Sequence, residues 1–223
     1  MAGGGFGAPK AAPPTLDEVC ASFPTRLPED LGVCCPCGSG ETYERCCRTY
    51  HLGEKSAESP ERCLRTRYSA FAYRLPKHII ATTAKSNSDW LSDKTKWARK
   101  LSKEGMFDSF RFVGLEVGET EDGTNEREAF LSLRVTLQPI DSKTKLNTQA
   151  EPMVFAERSR FTRTTKGAWL YASGDVTSEA SGLKGRVLNS EKDLGKLRSD
   201  VGFVDGILKK AKDYPKDEQE APP

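Results

Sequence analysis

Four of the chain's seven cysteines fall within thirteen residues, at Cys35, Cys37, Cys46 and Cys47. The pattern is C-x-C, eight residues, then C-C. Two thiol pairs on either side of the turn Gly38-Ser39-Gly40 suit a tetrahedral Zn²⁺ site, which takes four sulfur ligands at about 2.3 Å and, when structural, leaves no position open. Ligands this close in sequence cost little loop-closure entropy. Gly38 and Gly40 can take positive φ and fold the chain back within a few residues, so that residues 43–47 form a single helical turn carrying the second pair. A disulfide framework fits poorly, because adjacent Cys46 and Cys47 would each need its own fold-back geometry. No secretory signal implies an oxidising compartment. Cys34 makes a second vicinal pair with Cys35 and leaves a slipped ligand set, Cys34 for Cys35, open. His51, four residues past Cys47, is read as a linker histidine, with replacement of a cysteine as ligand the alternative.

The rest of the chain reads as one domain with appendages. Of 223 residues, 36% are hydrophobic and 30% charged, which predicts a modest core with polar tails. A net charge of +2 says nothing of partners. Residues 60–103, however, hold eleven basic residues against three acidic ones. No apolar run approaches the length of a membrane helix. Residues 1–33 read as a flexible leader, with an organellar address (plastid or mitochondrial) as the alternative to an intracellular, cytoplasmic place. Residues 48–59 read as a link to the main domain.

Ser59-Pro60-Glu61 is a helix start, with Ser as N-cap and Pro in the first turn. Leu64, Tyr68, Phe71 and Leu75 follow as one buried stripe. A second helix is expected over 77–84 and a third over 89–103, with Trp90, Trp97 and Leu101 on one side. After Gly105 the period becomes two. Strands are expected around 110–117, 129–137, 153–161 and 169–171. The phase slip at Phe112-Val113 suggests a bulge. Asp122-Gly123 and Lys166-Gly167 mark turns, and 140–150 is a long loop. Helices followed by antiparallel strands make an α+β domain over 59–176, with about three helices on a curved four-stranded sheet. In the tail, 177–223, Leu194, Leu197, Val201, Val204 and Leu208 give an amphipathic helix over about 190–212.

C-P-C-G-S-G-x-x-Y-x-x-C-C over 35–47 resembles the SEC-C motif, the zinc-binding tail module of the bacterial preprotein-translocase motor ATPase. Downstream, Arg65-Thr66-Arg67-Tyr68-Ser69-Ala70-Phe71, Gly114-Leu115-Glu116-Val117, Glu157-Arg158-Ser159-Arg160-Phe161, and Trp169-Leu170-Tyr171 with Gly174-Asp175 resemble YchJ-like proteins. These join a SEC-C motif (here 34–50) to a domain of the nuclear-transport-factor-two-like superfamily. The resemblance implies a cone-shaped fold and no established activity. It also places a histidine after the second helix, where this chain reads Ala81-Thr82-Thr83-Ala84-Lys85.

Glu157 shares strand phase with Met153, Phe155 and Phe161, so it points toward the concavity of the sheet. A polar cluster of Arg67, Tyr68 and Glu157 is therefore expected, either as a small-ligand pocket or as an internal tie between helix and sheet. No nucleophile–base pair or phosphate loop is present, and Cys20 and Cys63 are single thiols. The expected function is that of a non-enzymatic interaction or scaffold protein holding structural Zn²⁺ and meeting a protein partner. One alternative is an isomerase, dehydratase or hydrolase using the cone. Another is nucleic-acid or ribosome binding through the basic helices of 60–103.

Overall fold

The computed structural model describes residues 12–103, 107, 110–140 and 152–177. The first element lies inside what reads as leader. Helix α1, Leu16–Ala21, is opened by a reciprocal capping box: Thr15 accepts from the Glu18 N–H while the Glu18 carboxylate accepts from the Thr15 N–H. Leu16, Val19, Cys20 and Phe23 share one side and pack with Trp97, Ala98 and Ile80 into a satellite core. A salt bridge from Lys77 to Asp17, 2.5 Å, adds a surface tie. Residues 12–33 are thus not wholly leader. Nor are 48–59 wholly link, since helix α2, Arg48–His51, follows directly from Cys47.

Helix α3, Pro60–Tyr73, starts at Ser59, whose hydroxyl accepts from the Arg62 N–H. It ends at Arg74 in the left-handed conformation, φ 59°. Pro76 then opens α4, Pro76–Ala81, three residues shorter at its end than the pattern predicts. The reason is that residues 82–84 leave the helix to pair with a strand: the Tyr171 N–H donates to the Thr82 carbonyl (2.9 Å) and the Ala84 N–H to the Tyr171 carbonyl (2.8 Å). Helix α5, Lys94–Lys103, begins five residues later than expected. Asp93 supplies its cap by accepting from the Lys96 N–H (2.9 Å), and Asn87 holds the Asp89 N–H in a turn before it.

Strands β1 (Phe110–Asp122), β2 (Glu128–Pro139), β3 (Met153–Arg163) and β4 (Trp169–Thr177) form an antiparallel meander in chain order. The register slips between Phe112 and Gly114, where the hydrophobic phase breaks, and again between Val117 and Thr120. Such bulges bend a sheet. Leu131, Leu133 and Val135 face inward beside Ser159, Glu157 and Phe155 of β3. The outer edge of β4 is covered by residues 82–84 and by the Ala57 carbonyl, which accepts from the Trp169 N–H; covering removes a template for strand addition.

The main core runs without a break from Leu131, Leu137, Phe110 and Phe161 through Tyr68 and Leu64 to Cys35, Cys37, Cys46 and Cys47. The cysteine knuckle is part of this core and not a separate appendage. The expected tail helix over 190–212 and most of the loop over 140–150 lie outside the described residues. Among the described residues no helix is long and apolar enough to cross a membrane.

Candidate metal centre

The four cysteines meet because the chain turns back twice in eight residues. Gly38 (φ +74°) and Gly40 (φ +80°) both take the left-handed conformation. Cys34 bridges Thr42 across the turn, and the Cys35 N–H donates to the Glu41 carbonyl at 2.8 Å. A helical turn from Thr42 to Cys46, closed by the Cys46 N–H on the Thr42 carbonyl (3.0 Å), then brings up the second pair. All four ligand sulfurs lie within 4.8 Å of one another and all four residues are buried. The Sγ of Cys46 is 3.5 Å from that of Cys37 and 3.7 Å from that of Cys47. Four sulfurs about 2.3 Å from a central tetrahedral ion stand about 3.8 Å apart, so the spacing fits a metal. Cys34 is exposed and outside the quartet.

The proton distribution points the same way. Cys37 is held strongly toward thiolate by hydrogen bonds from Cys35 and then Cys47. Cys35, donating to Cys37, is pushed up to about 12, and Cys47 is pushed up by its bonds to Cys35 and Cys37. Without a cation, the buried cluster favours one thiolate among these three; a divalent ion lets all four cysteines deprotonate. Four thiolates around a divalent ion carry a net charge of −2, and two arginines of α3 stand beside it. Arg62 donates to the Cys46 sulfur (3.6 Å) and Arg65 to the Cys37 carbonyl (2.6 Å). The Ser39 hydroxyl lies 3.2 Å from the Cys46 sulfur. Such outer contacts orient ligands and balance charge.

His51 is neither a ligand nor a linker residue. Its Nδ1 faces the Tyr43 hydroxyl at 2.9 Å and its Nε2 the Thr66 carbonyl at 2.9 Å. A carbonyl can only accept, so Nε2 carries the proton and Nδ1 accepts from Tyr43. His51 therefore clasps the knuckle to α3. Against it, at 4.7 Å between ring centres, stands His78 of α4. The His78 Nε2 is buried with no hydrogen-bond partner. Burial holds His51 down to about 4. It holds His78 down to about 3, with His51 and Arg67 adding to the effect. Sequence reasoning missed this pair: the two positions are 27 residues apart and no local pattern joins them.

In the cone, the expected cluster keeps two of its three members. Glu157 is buried, 6% exposed, and points inward. It accepts from Ser159 and from Tyr171 (3.1 Å), and burial raises its pKa. Arg67 is 8% exposed and does not pair with Glu157. Its Nη1 donates to the Ile79 carbonyl and to Thr82 and Thr83 (3.1, 3.0 and 2.9 Å), at the C-terminal end of α4, where a cation is favoured. These threonines stand where the resemblance placed a histidine. The third member is Tyr171, whose ring lies 4.6 Å under the Arg67 guanidinium, while Tyr68 packs edge-on against Phe112. The sequence marks Tyr171 only as a strand residue: it lies opposite Phe161, and a bulge separates that pair from the pair of Glu157 with Val176. Gly174 makes room for the carboxylate: a β-carbon there would collide with Glu157 and with the Tyr171 hydroxyl.

The basic run of 60–103 does not form one positive face. Arg62 and Arg65 pair with Glu58 and Glu61 at the knuckle, Arg67 is internal, and Lys77 pairs with Asp17.

Comparison with known proteins places both parts of this arrangement. The model of the YchJ middle NTF2-like domain matches residues 59–174, and that of the SEC-C motif matches residues 35–48. A UPF0225 protein of Corynebacterium efficiens is 31% identical over 155 residues, covering 67% of this chain and 98% of the relative. One of Streptomyces coelicolor is 34% identical over 63% of this chain and 94% of its own length. The solution structure of a SEC-C motif containing protein from Rhodopseudomonas palustris superposes with a TM-score of 0.51 at 23% identity, over 66% of this chain and all of that one. It shares the fold.

Proposed function

Because this chain belongs to the YchJ family, with a SEC-C motif ahead of the family's middle NTF2-like domain, we propose that it is a non-catalytic interaction protein stapled by structural zinc. Cys35, Cys37, Cys46 and Cys47 are the ligands. The observation that carries the reading is the burial of four sulfurs at tetrahedral spacing inside the main core. A site closed by four thiolates offers no position to a substrate, so the ion contributes folding energy and not chemistry. Reduced thiols in this number suit a reducing compartment. The surface for a protein partner is the groove of about 340 Å³ between the knuckle turn and the start of α3, lined by Gly38, Ser39, Glu58, Glu61, Arg62 and Arg65 among others.

The test is elemental analysis of the purified protein together with thermal melting before and after chelation. About one equivalent of zinc and a large loss of stability on its removal are expected; less than half an equivalent rejects the reading. Glu157 supports a second reading, since a buried carboxyl held toward its neutral form is typical of general acids. Under it, Glu157→Gln abolishes turnover of a small substrate in the cone while leaving zinc content unchanged.

A further inference from the structure

The four sulfurs of the knuckle are covered differently. Cys47 faces the backbone of α3, with the Arg65 carbonyl 3.7 Å from its Sγ. The backbone of Cys37 is clamped, its carbonyl accepting from Arg65 at 2.6 Å. The Cys46 Sγ is met by side chains instead: the Ser39 hydroxyl at 3.2 Å and the Arg62 Nη1 at 3.6 Å. Ser39 and Arg62 both line the groove of about 340 Å³ between the knuckle turn and the start of α3. Cys46 is 2% exposed, so these two side chains stand between its sulfur and the groove.

This cover is lightly held. The Arg62 N–H donates to the Ser59 hydroxyl at 3.1 Å, which pins its backbone in the first turn of α3. The guanidinium has looser partners: the Glu58 carboxylate at 3.5 Å and the Tyr50 ring, 5.5 Å from its centre. The Arg62 side chain is 30% exposed and that of Glu58 61%, and a pair so open to water holds weakly. Arg65, one turn on, is tighter, 2.7 Å from Glu61. Because Glu58 stays beside it, Arg62 can leave the sulfur without stranding a charge. Ser39 sits at the tip of the turn, where its hydroxyl accepts from the Glu41 N–H at 3.3 Å and keeps its proton for Cys46 or Cys37. Uncovering Cys46 therefore takes side-chain rotation, whereas uncovering Cys47 or Cys37 disturbs backbone.

We propose that Arg62 and Ser39 gate Cys46, and that Cys46 is the ligand through which the quartet exchanges its metal with a competing ligand entering by the groove. A closed four-coordinate site exchanges only where an entering ligand can reach it. The inference rests on the reading of the quartet as a zinc site. The groove offered above to a protein partner is then also the metal's route in and out.

The experiment is transfer of zinc from the loaded full chain to the chromogenic chelator pyridylazoresorcinol over a series of chelator concentrations. In the parent the rate should rise with chelator concentration, because the entering ligand attacks at Cys46. Arg62→Ala should steepen that dependence about 10–100-fold, the range over which outer contacts tune a metal site. Arg62→Lys, which restores the charge on a flexible stem, should fall between. Cobalt-loaded variants should keep the visible bands of a tetrahedral four-thiolate site, which separates gating from loss of the quartet. If Arg62→Ala loosens the knuckle, Ser39→Ala carries the test, with a smaller rise of the same kind. Equal slopes in parent and variants overturn the inference. So does release that ignores chelator concentration throughout, since the site would then open only by unfolding. Faster release in Cys34→Ser with none in Arg62→Ala would place the exit at the exposed thiol beside Cys35 and overturn it too. Less than about half an equivalent of zinc in the parent rejects the metal reading itself, whereas a full equivalent with unaltered slopes rejects the gate alone.

Discussion

His78→Leu tests the buried histidine pair. In the folded chain His78 titrates at about 3 and His51 at about 4, against 6.5 for an ordinary histidine. Between these limits the unfolded chain binds protons that the folded chain refuses. Stability from this source is therefore full above pH 6.5 and declines as pH falls, by about 1.4 kcal/mol per pH unit for each histidine. At pH 5 the loss is about 2 kcal/mol from each, or about 4 kcal/mol together, a large share of the 5–15 kcal/mol that holds a typical domain. Leucine at 78 removes one of the two losses. It also removes the unpartnered Nε2, worth about 1–3 kcal/mol, and occupies a similar volume. The variant should match or exceed the parent at pH 7 and lose stability only about half as steeply from this source down to pH 5. The assay is urea unfolding of both proteins at pH 7, 6 and 5. Acid also protonates the four cysteines that could hold a metal, but it does so in both proteins, and the difference between their curves isolates His78. Parallel curves would refute the reasoning, because they would mean that His78 is solvated or already charged in the fold.

Other substitutions probe neighbouring parts of the core. Glu157 has the opposite sign: with its folded pKa raised, its contribution is complete below the ordinary value of about 4.5 and is lost as pH rises through the folded value. Glu157→Gln, which mimics the neutral acid, should be neutral or stabilising at pH 7 by calorimetry, and a loss above about 1 kcal/mol would show that the carboxylate is ionised there. Gly174→Ala should cost about 1–3 kcal/mol in chemical denaturation, since its methyl meets Glu157 and Tyr171; a change within about 0.5 kcal/mol would show that the carboxylate readily swings aside. Trp97→Ala should cost about 3–5 kcal/mol and release α1, read as faster amide exchange at residues 16–21, whereas unchanged exchange there would mean that α1 holds by its caps alone.

What could be read in advance was local. The cysteine spacing, the Ser59-Pro60 start, the alternation of β2 and the slip at Phe112 each depend on neighbours a few residues apart, and each has its counterpart in the structure. Thr15-x-x-Glu18 is also a local signal, and the Leu16/Val19/Cys20/Phe23 period continues it; the Gly- and Pro-rich stretch before them obscured both. The remaining differences are tertiary. The end of α4 is set by its pairing with β4, Tyr171 reaches Arg67 from a strand about a hundred residues away, and His51 of α2 meets His78 of α4 only once both helices pack beside α3. The place of the knuckle in the main core is tertiary as well. A motif found beside many kinds of domain looks independent in sequence, yet here its sulfurs and Tyr43 stack into the same interior as Leu131 and Phe161.

The cover over β4 sets an order of assembly. The knuckle closes within thirteen residues and the meander grows one neighbour at a time, both low-separation events that form early. The seal from Ala57 to Trp169 and from residues 82–84 to Tyr171 joins positions about a hundred residues apart, and it cannot form until β4 has left the site of synthesis. Until then Arg67, Glu157 and the unpaired edge of β3 stay open to water. A chain that lacks β4 thus leaves Arg67 and Glu157 uncovered whether or not its four cysteines have closed, and the arrival of β4 completes both the sheet and the cover over that polar interior.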